Sequence, residues 1–337
     1  MSRKRVTSLF FIVLMVCSVP VTGTAQTNLF QVLGGQRAGT SAFTFLKIGV
    51  GARAAGMGEA FVGISDDASA LYWNPAGAAQ VDGRKLLMTH TSWPADINYE
   101  YFGYVQPVTK YIYLGVSGGF LHMNPMEIRT EYKPHGTGEY FNYSDMALGA
   151  TFAMRMTDRF SFGLSLKHVQ ENLAGLIMSG QMIDLGTFYW TGFKSLRFSV
   201  SLTNFGPQVA PPGTYEKPTI EGGTAEFEYT EFSPPTIFRI GSAMNIVENG
   251  PHVFTGSVQL NHPVDNAENF VFGGEYTFMN LLALRGGYKL NIDEGGLSLG
   301  AGLVIPMVGI RKVRFDYAFT EFGRLSNVHR FAIGLDL

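Results

Sequence analysis

From Lys85 to Leu337 the sequence changes character at every second residue. In the segment 159–168, Phe160, Phe162, Leu164 and Leu166 share one parity, while Arg159, Ser161, Gly163, Ser165 and Lys167 share the other. In 196–203, Leu196, Phe198, Val200 and Leu202 oppose Arg197, Ser199, Ser201 and Thr203; in 313–320, Val313, Phe315, Tyr317 and Phe319 oppose Arg314, Asp316, Ala318 and Thr320. Successive side chains of a strand point to opposite faces of its sheet, so each segment has one apolar face and one polar or small face. Such segments are expected at 86–93, 97–107, 111–122, 143–156, 159–171, 179–191, 195–204, 235–248, 251–262, 268–279, 280–291, 296–307, 311–322 and 327–337. Fourteen is an even number, and most are long enough for the roughly 9–11 residues that a tilted membrane strand needs. Connections after the second, fourth, sixth, eighth and tenth segments are tight, as at Thr157-Asp158 and Asn249-Gly250. Long ones, about 123–142 and 205–234, follow the third and seventh. Short turns at one end and long loops at the other are the pattern of an outer-membrane barrel.

A soluble β-sandwich or propeller also alternates. Three features count against it: the segments are long, the chain ends in one, and their small face carries charges. Those charges are Lys167, Arg197, Arg239, Glu275, Arg285, Lys289, Arg314 and Asp316, of mixed sign. A closed barrel leaves no strand edge unpaired, which the bilayer demands. The expected class is all-β: a transmembrane antiparallel β-barrel of about fourteen strands, with those eight side chains lining its lumen. An arginine at Leu164, on the lipid side, should then cost more than one at Ser165, on the lumen side.

Composition agrees. Only 15% of residues are charged, against roughly 25% in soluble domains, and 41 are glycine. Arg3-Lys4-Arg5, the apolar run Leu9–Cys17 and the small residues ending at Ala25 read as a secretory signal peptide over 1–25. The run is too short to span a membrane as a helix, and Val16 before Cys17 does not fit a lipoprotein site. Loss of the three basic residues takes the formal charge from −2 to −5, and no polybasic run follows, so nucleic acid is not an expected partner. Cys17 is the only cysteine, which removes disulfides, thiolate metal sites and cysteine nucleophiles from the mature chain.

The segment 26–84, between the cleavage site and the first strand, has no sustained alternation and leads into the periplasmic end of the barrel. Its centre reads GARAAGMGEAFVGISDDASALYWNPAG, residues 51–77. Glycine and alanine let backbone pass close to backbone, and Gly51, Gly56 and Gly58 can take positive φ. Ser65 is expected to cap a short helix with Asp66 and Asp67 in its first turn and Asn74-Pro75 as its stop. Irregular backbone at membrane depth is tolerated inside a barrel, so 26–84 is expected to be an internal hatch, followed by a barrel over 85–337. The glycines lack the Lys-[Ser/Thr] pair of a phosphate loop. Two adjacent carboxylates without further ligands make a poor calcium site. No cofactor and no metal are expected.

The stretch FLKIGVGARAAGMGEAFVGISDDASALYWNPAGAAQ resembles the N-terminal signature of the PorV/PorQ family, a branch of the FadL-like outer-membrane barrels. The likeness continues through ADINYEYFGYVQP, IDLGTFYW, SLTNFGPQ, VQLNHPVDNAENFVFGGEY, LALRGGYKL and NVHRFAIGLDL, nearly the whole mature chain. It implies a fourteen-stranded barrel whose N-terminal hatch carries an Asn-Pro-Ala element, here Asn74-Pro75-Ala76, with Arg53 and the glycines in the same motif. It also implies one of two functions. PorV-like members shuttle cargo bearing a C-terminal signal domain within the type IX secretion system, whereas FadL-like transporters take up hydrophobic small molecules. Expected partners are outer-membrane lipid, secretion-system components with cargo C-terminal domains, or a hydrophobic ligand. The long loops carry Tyr132, Tyr140, Phe141, Pro211, Pro212 and Tyr215, suited to docking; the proline-rich 205–218 should be stiff and extended. No Gly-x-Ser-x-Gly elbow or His-Glu-x-x-His pair is present and the histidines are scattered, so no catalytic residue is expected.

Overall fold

The computed structural model describes residues 38–218, 223–292, 294–307 and 310–337; the expected signal peptide lies outside them. Fourteen strands close into one barrel. They are β1 (Lys85–Trp93), β2 (Ile97–Pro107), β3 (Ile112–Met123), β4 (Tyr143–Arg155), β5 (Phe160–Leu173), β6 (Leu176–Trp190) and β7 (Arg197–Phe205). The rest are β8 (Ile237–Asn249), β9 (His252–Pro263), β10 (Asn269–Phe278), β11 (Leu282–Leu290), β12 (Leu297–Met307), β13 (Ile310–Glu321) and β14 (Asn327–Asp336). Every strand runs antiparallel to its sequence neighbours, and β14 closes on β1 from Lys85↔Asp336 to Ser92↔His329.

The alternation becomes two chemically distinct walls. On β5, Leu166 is 57% exposed while Ser165 beside it is 1% exposed. On β11, Leu282, Leu284, Tyr288 and Leu290 face outward, and Arg285 is buried. An outward apolar band is what lipid requires, and the closed ladder leaves no backbone group for lipid to satisfy. The segments after β3 and β7 leave from the same end, the extracellular one by the rule of short periplasmic turns. Each folds a small hairpin of its own: Met126–Glu127 with Tyr140–Phe141, and Thr214–Pro218 with Thr224–Glu228.

The lumen is not open. Residues 42–81 lie inside it, and nearly all of them are buried. The segment does not merely approach the barrel from the periplasm. Its described start is at the extracellular end, where the Ala42 amide donates to the Ser233 carbonyl (3.0 Å); its last residue, Arg84, accepts from the Leu337 amide (2.9 Å) at the other end. It therefore threads the barrel lengthwise. This corrects the expectation for Ser165: an arginine there would meet a filled interior, because Ser165, though on the lumen side, is only 1% exposed, and its hydroxyl oxygen already lies 2.6 Å from that of Thr151 on the neighbouring strand.

The hatch and the wall that holds it as candidate functional site

The hatch is made of short turns, with small residues where its backbone passes close to the wall and large ones such as Phe43, Phe61, Leu71 and Trp73 buried between. Gly51, at φ +84°, opens α1 (Ala52–Gly56), and Gly58, at φ +66°, follows it. Gly56 is helical rather than of positive φ; its glycine is needed for space, since a Cβ there would sit 2.9 Å from the Gly300 Cα of β12. The next helix, α2 (Ala70–Trp73), starts later than expected and is not capped by Ser65, whose hydroxyl donates to the Phe61 carbonyl (2.8 Å). Asp67 takes the organising role instead: its Oδ1 accepts from the Ser69 amide (2.9 Å) and hydroxyl (2.6 Å). A carboxylate bonded to backbone and hydroxyl just before a helix competes well with a serine cap.

Asn74-Pro75-Ala76 is keyed to the wall. The Asn74 Oδ1 accepts from the Ala76 amide (3.1 Å), its Nδ2 donates to the Thr187 carbonyl of β6 (3.1 Å), and Pro75 begins a 3-10 turn, Pro75–Gln80. Opposite stand Gly163 of β5 and Gly186 of β6; a Cβ at either would run into Asn74, Pro75 or Ala76. Gly273, Gly287 and Gly300 likewise leave room for Gly56, Met57 and Gly58. These wall glycines are functional residues that the sequence analysis did not single out, although their inward parity was visible.

Charge completes the fit. Arg53 donates to Glu275 through Nε (2.9 Å) and Nη2 (2.8 Å), and through Nη1 to Asp66 and to Asp67 (3.3 Å). Glu275 also accepts from Arg285 (2.6 Å), which reaches Asp316 (2.7 Å), while Arg314 lies 3.5 Å from Asp67. On the far side of α1, Glu59 takes Lys289 (2.5 Å) and Arg330 (3.5 Å). Lys167 pairs with Asp184 (2.5 Å), and Arg239 donates to Thr203 (2.7 Å) with its guanidinium 5.5 Å from the Trp73 ring centre. Arg197 donates to the Gly63 carbonyl (2.9 Å). All eight expected lining side chains are thus inside, in contact with the hatch or with one another. Burial alone would push the hatch carboxylates up. The guanidinium of Arg53 and of Arg314 hold Asp67 below its usual value, and Lys289 and Arg330 do so for Glu59. Burial opposes the charge on Arg53, but Asp66 and Glu275 overcome it and raise its pKa. Glu59, Asp184, Gln259 and Arg330 belong to this network and were missed; Gln259 accepts from the Phe61 (3.1 Å) and Val62 (3.0 Å) amides.

The loop residues are elsewhere and in another condition. Tyr132 is 94% exposed, and Tyr140 and Pro212 are exposed. Phe141 and Pro211 are half-buried. Tyr215 packs on Phe227 (5.9 Å between ring centres) and Tyr229 (5.2 Å), within its own hairpin. Of the run 205–218 expected to be extended, Thr214–Pro218 form a strand.

Comparison with known proteins matches this geometry. The family model described as type IX secretion system protein PorV matches residues 32–190, which span the hatch and the strands through β6. The chain is similar in structure to the Pseudomonas putida toluene transporter TodX (TM-score 0.58, 14% identity, covering 85% of this chain and 96% of that one). It is also similar to the Ralstonia pickettii toluene transporter TbuX (0.57, 13%, 85% and 97%) and to a Pseudomonas aeruginosa FadL homologue (0.54, 10%, 84% and 97%). No curated protein matches the sequence. The PorV/PorQ resemblance holds over residues 32–190, and the FadL-like barrel holds as a fold.

Proposed function

We propose, for an outer-membrane barrel whose residues 32–190 are of PorV type, a role as a cargo-binding and shuttling component of type IX secretion. The PorV match carries this reading. The geometry supports it from a second direction: a lumen blocked by an ion-paired hatch leaves the hairpins as the accessible surface on the extracellular side, with Tyr132 and Tyr140 exposed there. Exposed aromatics on loops held by a rigid scaffold are suited to protein recognition. In this reading the protein is exported by the signal peptide to the outer membrane of a Gram-negative-type bacterium. It binds without catalysing a reaction, and its partners are lipid, secretion components and cargo C-terminal domains. Uptake of a hydrophobic small molecule is the alternative, and for it the transporters offer likeness of fold alone.

Purification from the native outer membrane in mild detergent, followed by mass spectrometry of what is bound, separates the two. Translocon components or proteins with a C-terminal sorting domain are the expected companions. A stoichiometric hydrophobe with no protein partner would overturn the shuttle in favour of uptake.

A further inference from the structure

Below the hatch, at the periplasmic end of the lumen, the wall and the underside of the hatch enclose a cup of about 490 Å³. Seven basic and four acidic side chains line it, so its charge is positive even though the chain as a whole is negative. All four acids are already engaged: Glu275 and Asp66 with Arg53, Asp336 with Lys85 (3.5 Å), and Asp82 with Arg311 (3.4 Å). Two of the bases have no such partner. Among the described residues no carboxylate lies within ion-pair distance of Arg197 or of Lys312.

Arg197 is the more telling of the two. It is only 6% exposed, its Nη1 reaches no more than the Ser195 carbonyl (3.3 Å) and the Asn245 side chain (3.4 Å), and it lies 5.3 Å from the centre of the Trp190 ring. Asp66, Glu275 and Glu248 act on it only from beyond ion-pair distance, and a guanidinium withdrawn from water with its counter-charges at that range is incompletely compensated, which a carboxylate brought into contact would remedy. Lys312 stands at the mouth, exposed, next to Arg311. We infer that the cup is a binding site for an acidic peptide segment presented from the periplasmic side.

The arrangement favours a chain with several carboxylates over a single small oxyanion. Arg197 is on β7 and Arg314 on β13, with five strands between them around the barrel, so the cations are set across the lumen and do not converge on one point. Apolar surface from Phe188, Trp190, Val253 and Ala283 lies between them, which a peptide can cover and a phosphate cannot. The inference goes beyond the secretion role and does not depend on it, because the extracellular hairpins take no part.

The test uses the full-length protein in detergent with three probes: a fluorescent decapeptide rich in Asp and Glu, a Lys-rich decapeptide of equal length, and inorganic phosphate. Saturable binding of the acidic peptide, weakening with added salt, is expected. The double variant Arg311→Gln/Lys312→Gln, at the exposed mouth, should weaken it about tenfold while heat-modifiable gel mobility stays as in the parent. Arg197→Gln should weaken it as well. Equal binding of the basic peptide, or unchanged affinity in the double variant, would sink the site. Displacement of the peptide by phosphate at matched concentration would reassign it to a small oxyanion and overturn the peptide.

Discussion

The hatch and the two extracellular hairpins are all irregular insertions carried by the same strands, and they are held in opposite ways. Hatch backbone is bonded to the wall, Phe61 and Val62 to Gln259 and the Ala79 carbonyl to Arg155 (2.6 Å), and the Asn74 side chain adds a bond to the Thr187 carbonyl. Hairpin backbone is bonded to itself, as in Thr137 to Ile128 and Ile128 to Glu139 (both 2.8 Å), and its aromatics stack within one hairpin. A segment whose polar groups are satisfied by its surroundings is fixed by them. One satisfied internally leaves its outer side for something else. The difference teaches where this protein has surface to offer.

The strongest way to break the comparison is to remove the fixed part. Deletion of 49–79 takes out α1, α2 and the ion-paired Arg53, Glu59, Asp66 and Asp67, and should convert a silent barrel into a conducting one in planar bilayers. Unchanged conductance would mean that the hatch does not seal. The deletion also sharpens the account of the wall. Leu164→Arg should cost roughly 2–4 kcal/mol in either background, since it faces lipid in both. Ser165→Arg should cost a similar amount in the full chain, where the interior is packed and the new charge has no partner, and much less after the deletion. Equal losses at Ser165 in the two backgrounds would show that the hatch is not what crowds it.

The barrel was legible because period two is a local property. Strand bounds agree to within about three residues throughout, and the inward charges follow from parity alone. The path of the hatch was not legible in the same way, since it depends on which turn meets which wall strand. Gly163 and Gly186 read as small inward residues, but only their position opposite Asn74-Pro75-Ala76 shows why they must be glycine. The capping arrangement failed for a similar reason. Ser65 was the expected cap, but the helix begins after Ser69, whose side chain makes no cap bond; Asp67 instead holds the Ser69 amide and hydroxyl, with its charge compensated by Arg53 and Arg314. Glu59, at φ +74° in a segment of small residues, gave no pattern that could pair it with Lys289, 230 positions later.

Acid should loosen the hatch more mildly than deletion does. Asp67 and Glu59 both titrate lower in the folded state than in the unfolded one. Their stabilising contribution is therefore in place above the usual carboxylate range near pH 4, and it is lost as pH falls through the folded values. Conductance should stay at background between about pH 5 and 8 and rise only below about pH 4. Glu59→Gln should reduce the part of that rise due to Glu59. Opening between pH 5 and 8 would mean that other groups hold the hatch.

The smallest structural effect is expected where the largest functional one is proposed. Tyr132 is almost wholly exposed and Tyr140 largely so, and truncating an exposed loop side chain changes stability by no more than about 0.5 kcal/mol. The pair Tyr132→Ala/Tyr140→Ala should therefore leave the thermal midpoint and the closed, non-conducting state unaltered. In the same variant the recovery of secretion partners from the native membrane should fall, because exposed aromatics contribute to protein recognition chiefly when a partner buries them. Loss of partners with an intact barrel would separate the two regions as plug and docking surface. Full retention of partners would move the docking surface away from these hairpins and onto the rest of the extracellular rim.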